Sequence, residues 1–418
     1  MKILDYDVVV IGGGPAGLSA ANTAKKNHAN KVLIIERDDA LGGILQQCIH
    51  PGFGLHEFKQ DYTGPEYAYR HIETIHQNNI DVFLHTTVLQ LMDGSLIAVS
   101  KSGLMKINYR SLVLAMGCRE RTRGAIQIPG SRPAGVITAG TAQRLINIQG
   151  QDIGKNIVIL GSGDIGMIMA RRLTLEGAKV LAVVELLPYL SGLLRNKVQC
   201  LDDFDIPLYL RHTVIDIVGN HRVESVTIAP VDDENRPMID KAWSVPCDTL
   251  LLSVGLIPEN ELTQQLDIII DPKTRGPIVD QTMQTSCKGV FACGNVVHVN
   301  DLVDHVSAEG AKAGKHAAIH AQTKTDIIST QTRIIPKEGI HSVIPQIVIQ
   351  DEQDDMIQMA LRVSTPAKKA SIIITSNDDI LYKIKRNHVR PGEIQMIKIR
   401  PSLFKDLDQV SIMMEKES

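Results

Sequence analysis

The N-terminal part of the chain alternates apolar runs with a helix-forming segment. Val8 to Ile11 is continuously apolar, the helix-forming run Leu18 to Lys26 follows, and Val32 to Ile35 is a second apolar run. Short apolar runs of this length are typical of parallel strands buried on both faces, with a helix crossing between them. The pattern therefore predicts a βαβ unit at the start of the chain.

Glycine dominates the turn between the first predicted strand and the helix. Gly12 permits a tight turn, Gly14 lets the backbone approach a pyrophosphate, and Gly17 lets helix and strand pack closely. The helix N-terminus offers free N–H groups and a positive dipole end to the phosphates. Glu36 ends the second strand and can accept hydrogen bonds from the hydroxyls of an adenosine ribose. Because strand, helix and acid all stand where they are needed, we predict a dinucleotide site rather than a glycine-rich turn of an ordinary α/β fold.

The same combination of strand, glycine loop, helix, strand and acid occurs a second time. Asn156 to Leu160 is strand-like, the loop Gly161 to Gly166 follows, and Lys179 to Val184 is the next predicted strand. The spacing from Gly161 to Glu185 is identical to that from Gly12 to Glu36. Two such units imply two dinucleotides, one a tightly held redox carrier and one diffusible, because electrons must enter and leave. We predict FAD on the first unit and NAD on the second, since the Glu185 carboxylate repels the 2′-phosphate of NADP.

Further glycines stand where strands end. Val113 to Gly117, Leu250 to Gly255 and Val290 to Gly294 each run from an apolar strand into a glycine, which permits a close approach to a cofactor. A glycine pair soon after Glu36 lets the backbone pass close to a flat ring. The predicted cofactor-binding residues are Gly12, Gly14, Pro15, Ala16, Gly17, Glu36, Arg37, Gly42, Gly43, Ala115, Gly117, Gly161, Gly163, Asp164, Ile165, Gly166, Glu185, Gly255, Gly294 and Asn295.

The two βαβ units and the three crossings resemble the pyridine nucleotide–disulfide oxidoreductases, which are two-dinucleotide flavoproteins. The resemblance implies an α/β fold with two Rossmann-like domains, a split FAD domain of residues 1–122 and 249–322 and an inserted NAD domain of residues 123–248. In that family an Asp after the last glycine holds the flavin ribityl chain. Asn295 stands there in this chain and can still hydrogen-bond a hydroxyl through its carbonyl oxygen. The helix that follows would point its N-terminus at the flavin, which favours the anionic reduced ring.

A narrower resemblance rests on four longer motifs, Gly42 to His50, Gly117 to Arg121, Thr138 to Gln143 and Asn300 to Gly310. They resemble a bacterial FAD/NAD-dependent oxidoreductase found beside anaerobic-type glycerol-3-phosphate dehydrogenases. Wider relatives of that branch include flavoprotein subunits of sarcosine, opine and hydrogen-cyanide-forming dehydrogenases. The resemblance implies a partner dehydrogenase or electron-transfer protein, with the glycerol-3-phosphate enzyme as the expected partner.

The last part of the chain, residues 323–418, carries no nucleotide motif. Its strand-like runs are Ile344 to Ile349, Ile357 to Val363, Ala370 to Thr375, Ile380 to Ile384 and Glu393 to Ile399. We predict a small C-terminal β-rich domain that serves docking or dimerisation, so an oligomer or complex subunit is expected. The basic residues Lys383, Lys385, Arg386 and Arg390 form either a docking face for an acidic partner or a solvated strand face, and we favour the second.

Length and charge exclude other classes of protein. A chain of 418 residues suits about three domains. The net charge of −3 and the scarcity of aromatic residues argue against nucleic-acid binding. The sequence has no signal peptide and no apolar stretch long enough to span a bilayer, so we expect a cytoplasmic protein. Its six cysteines form no C-x-x-C pair, which gives no zinc or iron–sulfur spacing, and we predict no metal.

Cys48 and His50 are the candidate catalytic residues. Cys48 lies shortly after the glycine pair, where disulfide reductases of the family place two cysteines, so an intrachain redox disulfide cannot form at that site. Two functional hypotheses follow, beside a third option in which the chain is a flavin-bearing assembly subunit that turns over little. In the first, the chain transfers hydride between nicotinamide and flavin as an electron-transfer subunit of a dehydrogenase. In the second, it is a self-contained NADH-dependent thiol, disulfide or peroxide reductase, in which Cys48 cycles through a sulfenic acid or mixed disulfide and His50 lowers the thiol pKa.

Overall fold

The computed structural model describes residues 1–323, 330–350, 356–377 and 379–416. The chain divides into two compact units. Unit 1 comprises Met1–Cys118 together with Pro258–Ser418, and unit 2 comprises Arg119–Ile257. Unit 2 contains a parallel sheet, whereas the main sheet of unit 1 combines parallel and antiparallel pairs.

The elements follow in chain order. The first segment of unit 1 contains β1 (Lys2–Ile11), α1 (Pro15–Lys26), β2 (Val32–Ile35), β3 (Pro51–Phe53), β4 (Tyr62–Thr63), α2 (Gly64–Gln77), β5 (Asp81–Phe83), β6 (Thr87–Met92), β7 (Ser95–Ser100) and β8 (Gly103–Leu114). Between the start of β9 (Cys118–Glu120) and the end of β18 (Leu256–Pro258) lie α3 (Arg123–Ile126), β10 (Val136–Thr138), α4 (Ala139–Asn147), β11 (Asn156–Leu160), α5 (Asp164–Leu175), β12 (Lys179–Glu185), α6 (Leu194–Cys200), β13 (Leu208–Leu210), β14 (His212–Val218), β15 (Ser225–Pro230), β16 (Trp243–Pro246) and β17 (Thr249–Leu252). The second segment of unit 1 contains β19 (Val290–Ala292), α7 (Val303–Thr323), β20 (Gln331–Pro336), β21 (Ile340–Ile344), β22 (Ile347–Ile349), β23 (Ile357–Val363), β24 (Ala367–Ser376), β25 (Asp379–Val389), β26 (Gln395–Ile399) and β27 (Gln409–Lys416).

The main sheet of unit 1 is assembled from both segments of the unit. Its strands run in the order β5-β2-β1-β8-β7-β6, and β1 pairs in parallel with β2 and β8. The long strand β8 has two partners on its other side, because its first half pairs with β7 and its last residues pair in parallel with β19. The C-terminal segment therefore adds a strand beside the N-terminal glycine loop.

Helices α1 and α7 pack unusually closely in unit 1. A side chain at Gly310 would collide with the carbonyl oxygen of Ala16, and one at Gly314 would collide with that of Ala20. The Ser19 hydroxyl also donates a hydrogen bond to the Ser307 carbonyl at 2.7 Å. The small residues of α7 thus let two backbones meet where larger residues would hold them apart.

Unit 2 contains the second βαβ unit in a parallel sheet of order β10-β17-β11-β12-β13, beside an antiparallel sheet of order β14-β15-β16. Successive residues of β11 point to opposite faces of the parallel sheet. Ile157 and Ile159 pack in a core with residues of α4, α5 and α6. Val158 and Leu160 pack in a second core with residues of β14 and β15. The continuous apolar run in the sequence reflects burial on both faces.

The tail is β-rich, as predicted. Its described strands form one sheet of order β22-β20-β27-β24-β25 and another of order β21-β23-β26. The single strand predicted from Ile344 to Ile349 was wrong, because one strand ends at Ile344 and another begins at Ile347. Pro345 has no N–H to donate, and the Gln346 side chain accepts a hydrogen bond from the Val279 N–H at 3.0 Å. Residues 323–418 fall in unit 1, while the domain limits from the resemblance and the docking role stay predictions.

None of the helices in the described part of the chain combines the length and the hydropathy needed to cross a membrane.

Candidate functional site

The glycine loop of unit 1 has the backbone that a pyrophosphate cradle requires. Gly12 has φ +105°, and a side chain there would collide with the Ala115 carbonyl oxygen. A side chain at Gly17 would collide with the carbonyl oxygen of Gly12. By contrast, nothing lies within 4 Å of the position that a Gly14 side chain would occupy, at the N-terminus of α1. The loop is thus closely packed on its inner side and open where N–H groups of the helix N-terminus can meet a phosphate.

Glu36 is held against this loop. It is 7% exposed, its Oε2 accepts the Gly13 N–H at 2.7 Å, and its Oε1 accepts the Asp38 N–H at 2.9 Å. Arg37 is exposed beside it. The carboxylate is therefore fixed next to the phosphate cradle, where the ribose of a bound dinucleotide would need an acceptor.

The chain returns over the loop at Gly42 and Gly43. The Gly42 N–H donates to the Gly13 carbonyl at 2.8 Å, and both glycines have positive φ. A side chain at Gly43 would lie 3.1 Å from the Gly14 Cα. The pair consequently forms the far wall of the open space at Gly14, and only glycine adopts this backbone readily.

The later crossings of unit 1 meet the same loop. Gly294 has φ +74°, and a side chain there would lie 2.9 Å from the Ala16 Cβ. Asn295 Oδ1 accepts the Asn300 N–H at 3.0 Å, while its Nδ2 lies 3.6 Å from Cys118 Sγ. The structure therefore brings Asn295 close to the start of α1, with its carbonyl oxygen already engaged by its own loop. Gly117 has φ +75° and open space around it.

Two acidic residues that hold the segment between β19 and α7 were not foreseen from the sequence. Glu309 in α7 accepts the Gly294 N–H at 2.8 Å through Oε2 and lies 2.7 Å from His298 Nε2 through Oε1. Asp301 accepts a bond from Arg362 of β23 at 2.6 Å and one from the Ile394 N–H at 2.6 Å. The only sequence signals were an acid among the small residues of α7 and an acid just before the helix. Both carboxylates fix the chain between β19 and α7.

The glycine loop of unit 2 repeats that of unit 1. Gly161 has φ +101°, and a side chain there would collide with the Ser253 carbonyl oxygen. A side chain at Gly166 would lie 2.7 Å from the Ser253 Cβ, and one at Gly163 would lie 3.2 Å from the Ser253 Oγ. The glycine loop therefore packs directly on Ser253, a contact that the sequence did not reveal.

The remaining predicted residues of unit 2 surround this loop. Glu185 is 4% exposed and accepts the Ser162 N–H at 2.9 Å and the Leu187 N–H at 3.0 Å, as Glu36 does with Gly13 and Asp38. Asp164 begins α5, and Ile165 packs against the core on the helix side. Gly255 has φ +100°, and its carbonyl accepts the Arg121 N–H at 3.0 Å.

Cys48 and His50, the candidate catalytic residues, each contact a backbone carbonyl. Burial raises the pKa of the Cys48 thiol to about 12, and Cys48 Sγ lies 3.3 Å from the Ile44 carbonyl. His50 Nδ1 lies 2.9 Å from the Pro51 carbonyl, and its ring packs on Phe53 with centroids 5.0 Å apart. The thiolate is the reactive form of cysteine, so a raised pKa opposes a redox role.

Both loops fit a dinucleotide on structural grounds. Each has a positive-φ first glycine seated on a carbonyl, a helix N-terminus beside it, and a buried carboxylate bonded to the second loop residue. These features in both units of one chain define a protein with two dinucleotide sites.

The chain belongs to the pyridine nucleotide-disulphide oxidoreductase family, whose model matches residues 6–320. This is a class of FAD-dependent enzymes that use NAD(P)H. The predicted fold class, the enzyme class and the use of FAD with a nicotinamide dinucleotide are thereby confirmed.

Relatives of this chain occur as subunits of larger enzymes. It is 29% identical over 378 residues to hydrogen cyanide synthase subunit HcnB of Pseudomonas protegens, covering 82% of this chain and 76% of the relative. It is 26% identical over 366 residues to an opine oxidase subunit of Agrobacterium tumefaciens, covering 78% and 67%. Among solved structures, thioredoxin reductase of T. acidophilum aligns with a TM-score of 0.63 at 21% identity, covering 77% of this chain and 99% of that one. The structural likeness shows the fold.

Proposed function

We propose that this chain transfers hydride between NAD(H) and FAD as the electron-transfer subunit of a dehydrogenase complex. The observation that carries the proposal is the state of Cys48. It is the one cysteine that follows the glycine pair, and burial raises its pKa to about 12. Because a thiol with a raised pKa is rarely in its reactive thiolate form, we expect the electrons of the reduced flavin to pass to another molecule.

The relatives support a partner enzyme. Two of them are named as subunits, one of a hydrogen cyanide synthase and one of an opine oxidase. The narrower sequence resemblance adds a dehydrogenase that acts on glycerol 3-phosphate as the partner we propose. A cytoplasmic location belongs to the same proposal.

The residues of the chain contribute binding and orientation. FAD, when bound, supplies the redox step by accepting or donating hydride at the nicotinamide. The N-termini of α1 and α5 would hold the two pyrophosphates, and Glu36 and Glu185 would accept bonds from the adenosine riboses. Asn295 would hydrogen-bond the ribityl chain. Gly42 and Gly43 would let the backbone lie against the flavin.

Anaerobic mixing of the FAD-loaded protein with NADH tests the proposal. We expect rapid bleaching of the flavin absorbance, followed by steady turnover with an artificial dye. Peroxide and low-molecular-weight disulfides should give far slower turnover than the dye. A flavin that NADH does not reduce would contradict hydride transfer, and fast turnover with a disulfide in the absence of any partner would contradict the role in a complex.

Glu185→Ala should narrow the preference for NADH over NADPH. The carboxylate accepts hydrogen bonds from the ribose hydroxyls and repels a 2′-phosphate. Its removal should therefore lower the affinity for NADH and raise the affinity for NADPH. Flavin reduction rates at limiting concentrations of each nucleotide measure the ratio. Equal rates with both nucleotides in the unmodified protein would refute the assignment to NAD.

Cys48→Ser should retain FAD and keep NADH-driven flavin reduction within about tenfold of the unmodified rate, which is roughly 1.4 kcal/mol of barrier. The thiol with its raised pKa has no part in hydride transfer under this proposal. Stopped-flow absorbance gives the reduction rate, and steady-state assays give acceptor turnover. If acceptor turnover fell by several orders of magnitude while reduction stayed unchanged, the single-cysteine reductase would replace the proposed function.

A further inference from the structure

The acid of the second glycine loop has more hydrogen-bond donors than the acid of the first. Glu185 Oε2 accepts the Ser162 N–H at 2.9 Å, the Ser162 hydroxyl at 2.6 Å and the Ser191 hydroxyl at 2.8 Å. Its Oε1 accepts the Leu187 N–H at 3.0 Å. Three donors fill the acceptor capacity of Oε2, so Oε1 is the oxygen that retains capacity for another donor.

The first unit shows what the two serines add. Glu36 accepts the backbone N–H groups of Gly13 and Asp38, which match those of Ser162 and Leu187 around Glu185. Gly13 has no side chain at the place of Ser162. The backbone part of the arrangement is therefore common to both units, and the two hydroxyls belong to the second unit.

Ser191 is itself held in place by the loop. Its N–H donates to the Ser162 hydroxyl at 3.0 Å, and the Gly192 N–H donates to the Ser162 carbonyl at 3.1 Å. The Leu193 N–H donates to Asp164 Oδ1 at 2.8 Å. Ser162 is 0% exposed and its hydroxyl both donates and accepts, so the serine pair and Glu185 form one closed network.

We propose that Ser162 and Ser191 are positioning residues that set the selectivity for NAD over NADP. This inference rests on the proposed nicotinamide site. A ribose 2′-hydroxyl can donate to Oε1, whereas a 2′-phosphate carries negative charge and acceptor oxygens. A mobile carboxylate could turn away from that phosphate. Turning the Glu185 carboxylate would break three hydrogen bonds on Oε2. The serine pair therefore holds the carboxylate where it repels a 2′-phosphate.

Calorimetric titration of the FAD-loaded protein with ADP-ribose and with 2′-phospho-ADP-ribose tests the proposal. These probes carry no nicotinamide, so binding is measured without hydride transfer. The selectivity ratio is the dissociation constant of 2′-phospho-ADP-ribose divided by that of ADP-ribose. In Ser191→Ala and Ser162→Gly, we expect this ratio to fall about tenfold, because each variant removes a hydrogen bond to a charged group. Ser191→Thr keeps a hydroxyl and should retain the original ratio. Ser131→Ala is the matched control, since it removes a hydroxyl bonded to the Ile217 carbonyl elsewhere in unit 2.

If both variants kept the ratio of the two dissociation constants within twofold of the unmodified protein, the proposal would be overturned. Equal weakening of both probes would also overturn it, because the serines would then hold the loop without affecting selectivity. An unmodified protein that binds the two probes equally would overturn it as well. Failure of NADH to reduce the flavin, with the ADP-ribose selectivity intact, would instead count against the proposed function alone.

Discussion

Gly161→Ala is expected to weaken NADH binding severely while FAD stays in place. The residue has φ +101°, and its new side chain would collide with the Ser253 carbonyl oxygen. The backbone would have to move, and the N–H groups at the start of α5 would move with it. Positive φ in a residue with a side chain costs on the order of 1–3 kcal/mol before the collision is counted, so we expect affinity for NADH to fall at least about a hundredfold. Equilibrium titration of the FAD-loaded protein with NADH measures the loss.

Gly177→Ala is the matched control for that variant. Gly177 also has positive φ and follows the same helix, but nothing lies within 4 Å of its missing side chain. It should lose some stability and bind NADH normally. Loss of FAD together with NADH in Gly161→Ala would show that the two sites are not independent. Unchanged NADH affinity would show that the second loop does not bind the nucleotide.

Gly314→Val is expected to release most of the FAD and to lower the thermal unfolding temperature. Its side chain would collide with the Ala20 carbonyl oxygen, where α1 and α7 meet in a buried contact. Separating these helices disturbs the start of α1, which borders the phosphate cradle. Overpacking typically costs about 1–3 kcal/mol of folding free energy, and we expect the upper end of that range because the collision is with backbone. The ratio of flavin to protein absorbance and a thermal melt of the same sample measure both effects.

Ala308→Val provides the comparison on the same helix. Ala308 is exposed, so valine there costs only the small difference in helix propensity. Gly314→Val could instead keep its full FAD content and unfold at the same temperature as Ala308→Val. That result would show that the close contact of α1 and α7 is not needed for cofactor binding.

The glycine loops could be predicted from the sequence because their chemistry is local. Each loop needs a strand, glycines at fixed places and an acid at a fixed distance, and all of these lie within one short stretch of chain. The partners of Glu185 and Gly294 could not be predicted in the same way. Ser191 reaches the acid through an irregular segment, and Glu309 reaches Gly294 from another element. No periodicity in the sequence encodes such side-chain contacts.

The tail shows a second limit of prediction from sequence. Its β-rich character follows from apolar runs, but strand ends depend on contacts made far along the chain. Gln346, which separates β21 from β22, is bonded through its side chain to Val279 and Asp271. Cys48 is a second example. Its location after the glycine pair made it a candidate catalytic residue, but the raised pKa of its thiol results from burial in the fold.

The pairing of β19 with β8 and of α7 with α1 also determines the order in which the protein can fold during synthesis. Val303, the first residue of α7, follows Lys26, the last residue of α1, by 277 residues (303 − 26). At roughly 5–20 residues per second, the ribosome therefore reaches α7 about 14–55 s after it completes α1. Throughout that interval the face of α1 that contacts Gly310 and Gly314 is not covered by α7. The contiguous unit 2, residues 119–257, is complete before α7 emerges. Every residue of unit 2 is thus synthesised before α7, which unit 1 needs to complete its contact with α1. The face of α1 that awaits α7 is the surface that a chaperone would have to cover.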